Sequence, residues 1–403
     1  MGKKLLLLCL MGSFLFISGC WSRKELIDLA FVIAVGIDKT DDGQYLASFQ
    51  LVNPGNVAGS SLQGASQGLP VAVYQTKGRN MVEAARKGAD TVSRRLYFAH
   101  TNLVVIGEKA ARDGINGIMD NLERDKEFRA TTAVVIAKNG TAENVLETLT
   151  PIDKIPANKI IKTTAFAEQS YGDVFENDVS NIIEDLVSSG IVPLISGFEI
   201  LGDPKKGMGK ENLETTKNAA TLRAEGLAIM KGGKLRGWLT GKDARSASLI
   251  LGKLKGTAYN LDWKGKKGVI AFETFSSKSM IKAKVQNGKP SVTVDAKMEG
   301  NIGEANTSID LNDPFVIRKL NKIASDQVKK ELVSSINRVK KEKSDVFGFG
   351  ETIHREDAVY WNKVKKNWNE QYFPNLDVKV KVHVFIRRTE LRNKPFHSDL
   401  NKS

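Results

Sequence analysis

The sequence predicts an α+β, mixed α/β protein of two to three tandem domains, the C-terminal one an antiparallel meander packed with a long helix. Three observations carry this expectation. Short β-branched runs alternate with helical periodicities over the N-terminal half; strand patterns separated by turn residues follow one another between 268 and 300; and a helical stripe continues for roughly thirty residues after Pro314.

Taken in order, "LAFVIAVGI" at 29 to 37 reads as a buried strand, Asp41-Asp42-Gly43 as a turn, and "QYLASFQLV" as the strand that pairs back. The Gly, Ser, Asn and Gln of "NPGNVAGSSLQGASQG" at 53 to 68 mark a loop. A strand at "PVAVYQT" and an amphipathic helix around 80 to 95 follow, with Met81, Ala84, Ala85, Ala89 and Val92 on one face. Strands at 102 to 107 and 131 to 138 flank the helical "GINGIMDNLERD", residues 141 to 190 turn mostly helical, and "VPLISGFEIL" returns to strand.

The polar stretch "GDPKKGMGKENLETTKN" at 202 to 218 is the expected linker. It divides an N-terminal mixed region at 20 to 201, taken whole or split near 140 to 155, from a C-terminal domain at 219 to 390 and a flexible tail at 391 to 403. Beyond it the chain reads as strand, Gly-Gly turn and strand to Thr240, then a helix at "ARSASLILGKL". Strands near 268 to 275, 278 to 287 and 290 to 300 form the meander, with Gln286-Asn287-Gly288 as one of its turns. Asp313 is placed to cap the long helix and Pro314 to occupy its first position. Its stripe of Val316, Leu320, Ile323, Val328, Leu332, Ile336 and Val339 runs to about Lys343, and "RVKKEKSD" makes its far end basic.

The first nineteen residues have the layout of an export signal: Lys3 and Lys4, an apolar stretch from Leu5 to Ile17, then Ser18 and Gly19. That stretch is too short for a permanent span, which takes roughly twenty apolar residues. Ile17-Ser18-Gly19-Cys20 resembles a bacterial lipobox, which implies cleavage before Cys20 and diacylglyceryl and N-acyl groups on that residue. The chain has two cysteines, and Cys9 lies in the discarded segment, so Cys20 has no intramolecular disulfide partner and no cysteine cluster for a metal. An unpaired thiol on an oxidising side is a liability that a thioether removes, and two acyl chains anchor stably where one is marginal.

Cleavage leaves 58 Lys+Arg against 46 Asp+Glu, a net charge of +12 against +14 for the whole chain. A basic chain held at a membrane is drawn to anionic lipid. Nucleic acid is the other usual partner, but zinc-finger spacing, an RNP-like motif and a compact basic block with interleaved aromatics are all missing from the sequence, so no nucleic-acid partner is expected.

Catalytic signals are weak. "GASQG" matches G-x-S-x-G, but Ser66 sits in the polar loop without the strand-to-helix turn a nucleophile elbow needs. The histidines at 100, 354, 383 and 397 are scattered singly, which gives no zinc site. "FGFG" at 347 to 350 lacks a third glycine and a βαβ setting. Neither an enzyme nor a cofactor is expected.

Three stretches together resemble the Ger(x)C family, the lipoprotein C subunits of nutrient germinant receptors in spore-forming bacteria. They are "GCWSRKELIDLAFVIAVGIDKTDDGQY", "ARKGADTVSRRLYFAHTNLVVIGEKAARDGI" and "DVFGFGETIHREDAVYWNKVKKNWNEQYFPNLDVKVKVHVFIRRT". Ala99 stands where the family commonly has glycine, and Arg387-Arg388-Thr389 ends the last strand without the usual following glycine. The resemblance implies a non-enzymatic subunit on the outer face of the spore's inner membrane, working with a membrane-embedded A subunit and a transporter-like B subunit in assembly or signal relay. It transfers no functional residue except the lipidated Cys20. Arg95, Tyr97, His100, Glu108, Phe347, Phe349, His354 and Arg355 are the candidates for an interface with A or B, against plain core packing and turns. A lipid-anchored solute-binding protein is the rival class, and it requires two similar lobes around a cleft.

Overall fold

The computed structural model describes residues 26–53 and 68–388, with the isolated positions 2 and 56. Cys20, Ser66 and the tail at 391 to 403 lie outside the described residues, as do nearly all of the signal segment and most of the 53 to 68 loop.

Strands β1 (Leu29–Lys39) and β2 (Tyr45–Val52) form the expected hairpin, with Asp38 opposite Leu46 and Lys39 opposite Tyr45. Their runs are continuously apolar because β1 is covered on both sides, Ile37 packing into one cluster and Ala34 into another. Strand β3 (Val71–Gly78) adds antiparallel to β2. Helix α1 (Met81–Lys87) starts where the Asn80 side chain accepts the Glu83 amide at 2.8 Å. It ends sooner than the periodicity predicts, because β4 (Arg95–Tyr97) pairs in parallel with the start of β1, and that pairing claims the backbone of residues 95 to 97.

Strand β5 (Leu103–Gly107), helices α2 (Glu108–Asp113) and α3 (Asn116–Arg124), strand β6 (Ala133–Ala137), helices α4 (Ala142–Glu147), α5 (Pro156–Ser170) and α6 (Val179–Val187), and strand β7 (Leu194–Gly202) carry the alternation onward. Two short helices, α7 (Pro204–Gly207) and α8 (Glu211–Glu214), then lead into β8 (Ala220–Lys231) and β9 (Lys234–Leu239). The nine strands form one mixed sheet in the order β3-β2-β1-β5-β6-β7-β8-β9, with β4 beside β1. Strands β1, β5, β6 and β7 run parallel, and β7 to β9 are antiparallel neighbours.

Residues 202 to 218, the expected linker, carry two short helices and are otherwise irregular. They join two hydrogen-bonded strands of one sheet, and Asn212, 1% exposed, fastens them. Its Nδ2 donates to the Leu149 and Ala220 carbonyls at 2.8 and 3.0 Å, and its Oδ1 accepts the Ala220 amide at 3.1 Å. Polar, glycine-containing composition marks an irregular connection; it does not say whether the flanking strands pair. The sheet extends through β9.

The remaining chain runs through α9 (Lys242–Ile250), β10 (Thr257–Trp263), β11 (Lys266–Gln286), β12 (Lys289–Ala305), α10 (Pro314–Lys341), α11 (Phe349–Glu356), α12 (Ala358–Val364) and β13 (Asp377–Arg388). Here the meander is β10-β11-β12, and β13 joins it parallel to β12. The two patterns at 268 to 275 and 278 to 287 are a single strand with an irregularity at Thr274/Ser276, which breaks the alternation without breaking the pairing. The long helix begins as predicted: Asp313 Oδ1 accepts the Phe315 amide at 2.8 Å and Pro314 sits in the first turn.

Helix α10 buries Leu320, Ala324, Val328, Leu332, Ile336 and Val339 in a core shared with Val292, Val294, Ala296 and Met298 of β12. It also seals the outer edge of β13, where Ser325 Oγ accepts the Val384 amide at 3.0 Å and Asn321 Oδ1 accepts the Ile386 amide at 2.9 Å. Arg338 of the same helix reaches Asp243 Oδ2 in α9 at 2.7 Å and the Trp238 carbonyl in β9 at 2.9 Å. No helix among the described residues is long and apolar enough to cross a membrane.

Candidate functional site

The predicted residues separate into four places. Arg95, Tyr97 and His100 come together where β4 meets β1. Leu29, Ala30 and Phe31 lie opposite Arg95, Leu96 and Tyr97, so period-2 alternation turns Leu96 inward and leaves Arg95 and Tyr97 on the outer side. Phe31, Tyr97 and His100 then form an edge-on ring cluster, with Phe31 5.3 Å from His100 and 6.0 Å from Tyr97 between centroids.

Glu127, which sequence reasoning passed over, holds this corner. Its carboxylate accepts from Arg95 Nη2 at 3.3 Å and from the Phe98 amide at 3.1 Å. Phe98 faces the other way and stacks on Phe128, centroids 5.5 Å apart. Beside it opens a cleft of about 1120 Å³, with Phe49, Met81, Leu96, Phe98 and Phe128 on its apolar lining. Arg86, Arg94, Arg95 and Lys126 share the lining with Asp28, Asp125 and Glu127, which leaves its charge nearly balanced.

Glu108 belongs elsewhere, past the carboxyl end of β5 and so at the opposite end of β1 from Arg95. It binds Arg112 Nε at 3.0 Å and accepts the Asn139 amide, which fixes the turn after β6. Its neighbour Gly107 is needed for contact: a Cβ there would come within 1.8 Å of Asp38 Oδ1. Asp38 in turn accepts the first two amides of α4, Ala142 N at 2.9 Å and Glu143 N at 3.0 Å. Burial raises its carboxyl above the usual range, and these two bonds offset part of that rise. The "GID" and "IGE" signatures are thus two halves of one turn-fixing contact.

Phe347 and Phe349 lie in the core. They are 2% and 0% exposed and pack against each other at 5.3 Å, so neither can meet a partner. The chemistry of their segment centres on Asp345, a fully buried carboxylate that accepts the amides of Phe347, Phe349 and Gly350 at 3.3, 3.1 and 2.7 Å and Trp368 Nε1 at 2.8 Å. Desolvation outweighs those four bonds and pushes the carboxyl up to about 6. Its backbone carbonyl accepts the Val192 amide at 2.8 Å, and Glu351 N donates to the Gly190 carbonyl at 3.3 Å, so the loop clasps the chain entering β7. Gly350 has no room for a side chain: a Cβ would lie 2.6 Å from Trp361 and 2.8 Å from Gly190.

His354 and Arg355 are exposed on α11, and the His354 ring lies over Trp361 at 6.0 Å. Among the described residues, no group of three or more His, Cys, Asp or Glu is placed to hold a metal.

Two family profiles match the chain. One, described as the spore germination protein N-terminal domain, covers residues 22–200; the other, described as spore germination B3/GerAC like, C-terminal, covers 225–390. Among curated relatives, spore germination protein KC of Bacillus subtilis is 41% identical over 98% of this chain and 97% of its own length. Spore germination protein B3 of the same species is 25% identical over 88% of this chain and 90% of its own. The crystal structure of the GerBC protein superposes with a TM-score of 0.54 at 21% identity, covering 87% of this chain and 96% of that one, and so shows the same fold. With profiles matched over both halves and a near full-length relative at this identity, the chain belongs to the spore germination B3/GerAC-like family.

Proposed function

We propose that this protein is the lipid-anchored, non-enzymatic C subunit of a nutrient germinant receptor, held at the outer face of the spore inner membrane and needed for receptor assembly or signal relay. The observation that carries the reading is the 41% identity to spore germination protein KC across nearly the whole of both chains. The order Ile17-Ser18-Gly19-Cys20 supplies the anchor, and tethering raises the local concentration of the folded part at its membrane partners, so that a modest contact with the A or B subunit is sufficient. Arg95, Tyr97 and His100 are the surface group proposed for that contact.

Replacing Cys20 with Ser tests the anchor. The variant should leave the membrane fraction, and its mass should lack the diacylglyceryl and acyl groups; a variant that stays bound and unshifted relative to the parent removes the lipid assignment. Crosslinking in spore membranes tests the contact, with adducts expected from the Arg95 corner to the A or B subunit. The solute-binding alternative is disfavoured by the unlike sheets, nine strands in one and four in the other. Calorimetric titration with nutrients should show no heat of binding, and saturable binding by this chain alone would favour the alternative.

A further inference from the structure

The C-terminal sheet has one covered and one open face. Inward side chains of β12 and β13, such as Val292, Val294, Val380 and Val384, are buried in the core with α10, whereas their outward neighbours face solvent. The register aligns those outward residues in rows across three strands. Lys278 lies opposite Lys297, which lies opposite His383; Lys282 opposite Thr293 and Lys379; Met280 opposite Asp295 and Lys381. Directly opposed like charges on one sheet face cost stability, and Lys278 stands directly opposite Lys297.

Around Lys297, six lysines (278, 282, 284, 297, 379 and 381) and Arg387 stand on this face against Asp295, Glu299 and Asp377, with Lys289 at the β11–β12 turn and Glu273 and Glu304 toward the other end of the two strands. Glu299 is already held by Arg387 at 2.8 Å, and Lys379 approaches Asp377 only to 4.0 Å. Phe275 and Met280 of β11 and Phe385 of β13 are 56%, 56% and 41% exposed.

We propose that this open face is a second membrane contact that receives the anionic headgroups of phospholipids. Lysine ammoniums are compact point charges, suited to a diffuse anionic plane, whereas recognition of individual carboxylates on an acidic protein favours the guanidinium fork. The exposed Phe and Met side chains among the lysines are the kind that settle at a headgroup boundary. This inference rests on the membrane placement proposed above, and it assigns the lipid to a surface far in sequence from Cys20.

Lysine acetylation followed by mass spectrometry tests it on the full chain. Vesicles of phosphatidylcholine mixed with phosphatidylglycerol should slow labelling of Lys278, Lys282, Lys297 and Lys381 at least about threefold relative to phosphatidylcholine alone, and added salt should abolish the protection. Labelling of Lys205, Lys206, Lys329 and Lys330, which are exposed elsewhere, should not change. Replacing the four face lysines with Gln should lower partitioning onto the anionic vesicles at least about tenfold, while the same change at the four control lysines leaves it intact. Equal labelling on both vesicles, or protection by polyglutamate but not by anionic vesicles, overturns the proposal, the latter in favour of an acidic protein. The mass at Cys20 in the same samples reports lipidation separately, so failure of the anchor and failure of this face are distinguishable.

Discussion

Asp345 is the residue on which the "FGFG" segment turns. Four donors share its two carboxylate oxygens, and an amide in its place offers one acceptor oxygen and sets an NH₂ against the remaining donors. Asp345→Asn should therefore lower unfolding stability by about 3 kcal/mol in urea titrations, the scale of losing charge-assisted bonds in a buried site. The pH dependence has a definite sign. Because burial pushes the folded carboxyl up to about 6, above the 3.8 of an ordinary aspartate, the folded state binds the proton more tightly between those limits. Its contribution to stability thus falls as pH rises from about 4 through 6 and is flat above that, a slope the Asn variant should lack. Sequence reading reached this segment through its glycines and aromatics and missed the carboxylate that organises them. An aspartate just before a glycine-rich turn is an ordinary sight, and only the fold reveals that it is buried and surrounded by amides.

Among the elements, the long helix was the most legible, since Asp313, Pro314 and the apolar stripe state its start and its buried face together. β10 was not read, although its burial alternates strictly along "TAYNLDW"; its polar Asn and Asp on the solvent side masked a clean strand. Nor could the chain announce that β13 would pair with β12 across the intervening helices, because parallel partners are set by tertiary packing and not by a local turn. The seal between α10 and β13 gives the element-scale expectation. Asn321→Ala with Ser325→Ala should cost about 2 kcal/mol, one hydrogen bond each, and should speed hydrogen exchange at Val384 and Ile386, which lose their acceptors. Unchanged exchange at those two amides would show that the edge is closed by something other than these side chains.

For the whole molecule, a division at 202 to 218 and one drawn at the end of the nine-stranded sheet, after β9, predict different fragments. A chain ending at Gly202 leaves β7 without its neighbour and exposes an edge ready for association, whereas one ending at Thr240 keeps the nine-stranded sheet complete. The shorter fragment should aggregate and the longer remain more soluble, as read by size-exclusion chromatography; equal behaviour would restore the earlier boundary. "VPLISGFEIL" and "AATLRAEGLAIM" are each readable as strands, but their pairing across a polar connection is not. At the other end of that sheet, open α/β architectures generally receive ligands beyond the carboxyl ends of their parallel strands. Here the amides opening α4 are already taken by Asp38. The chain thus brings its own carboxylate to that seat, and this end of the sheet is locked by a contact within the fold.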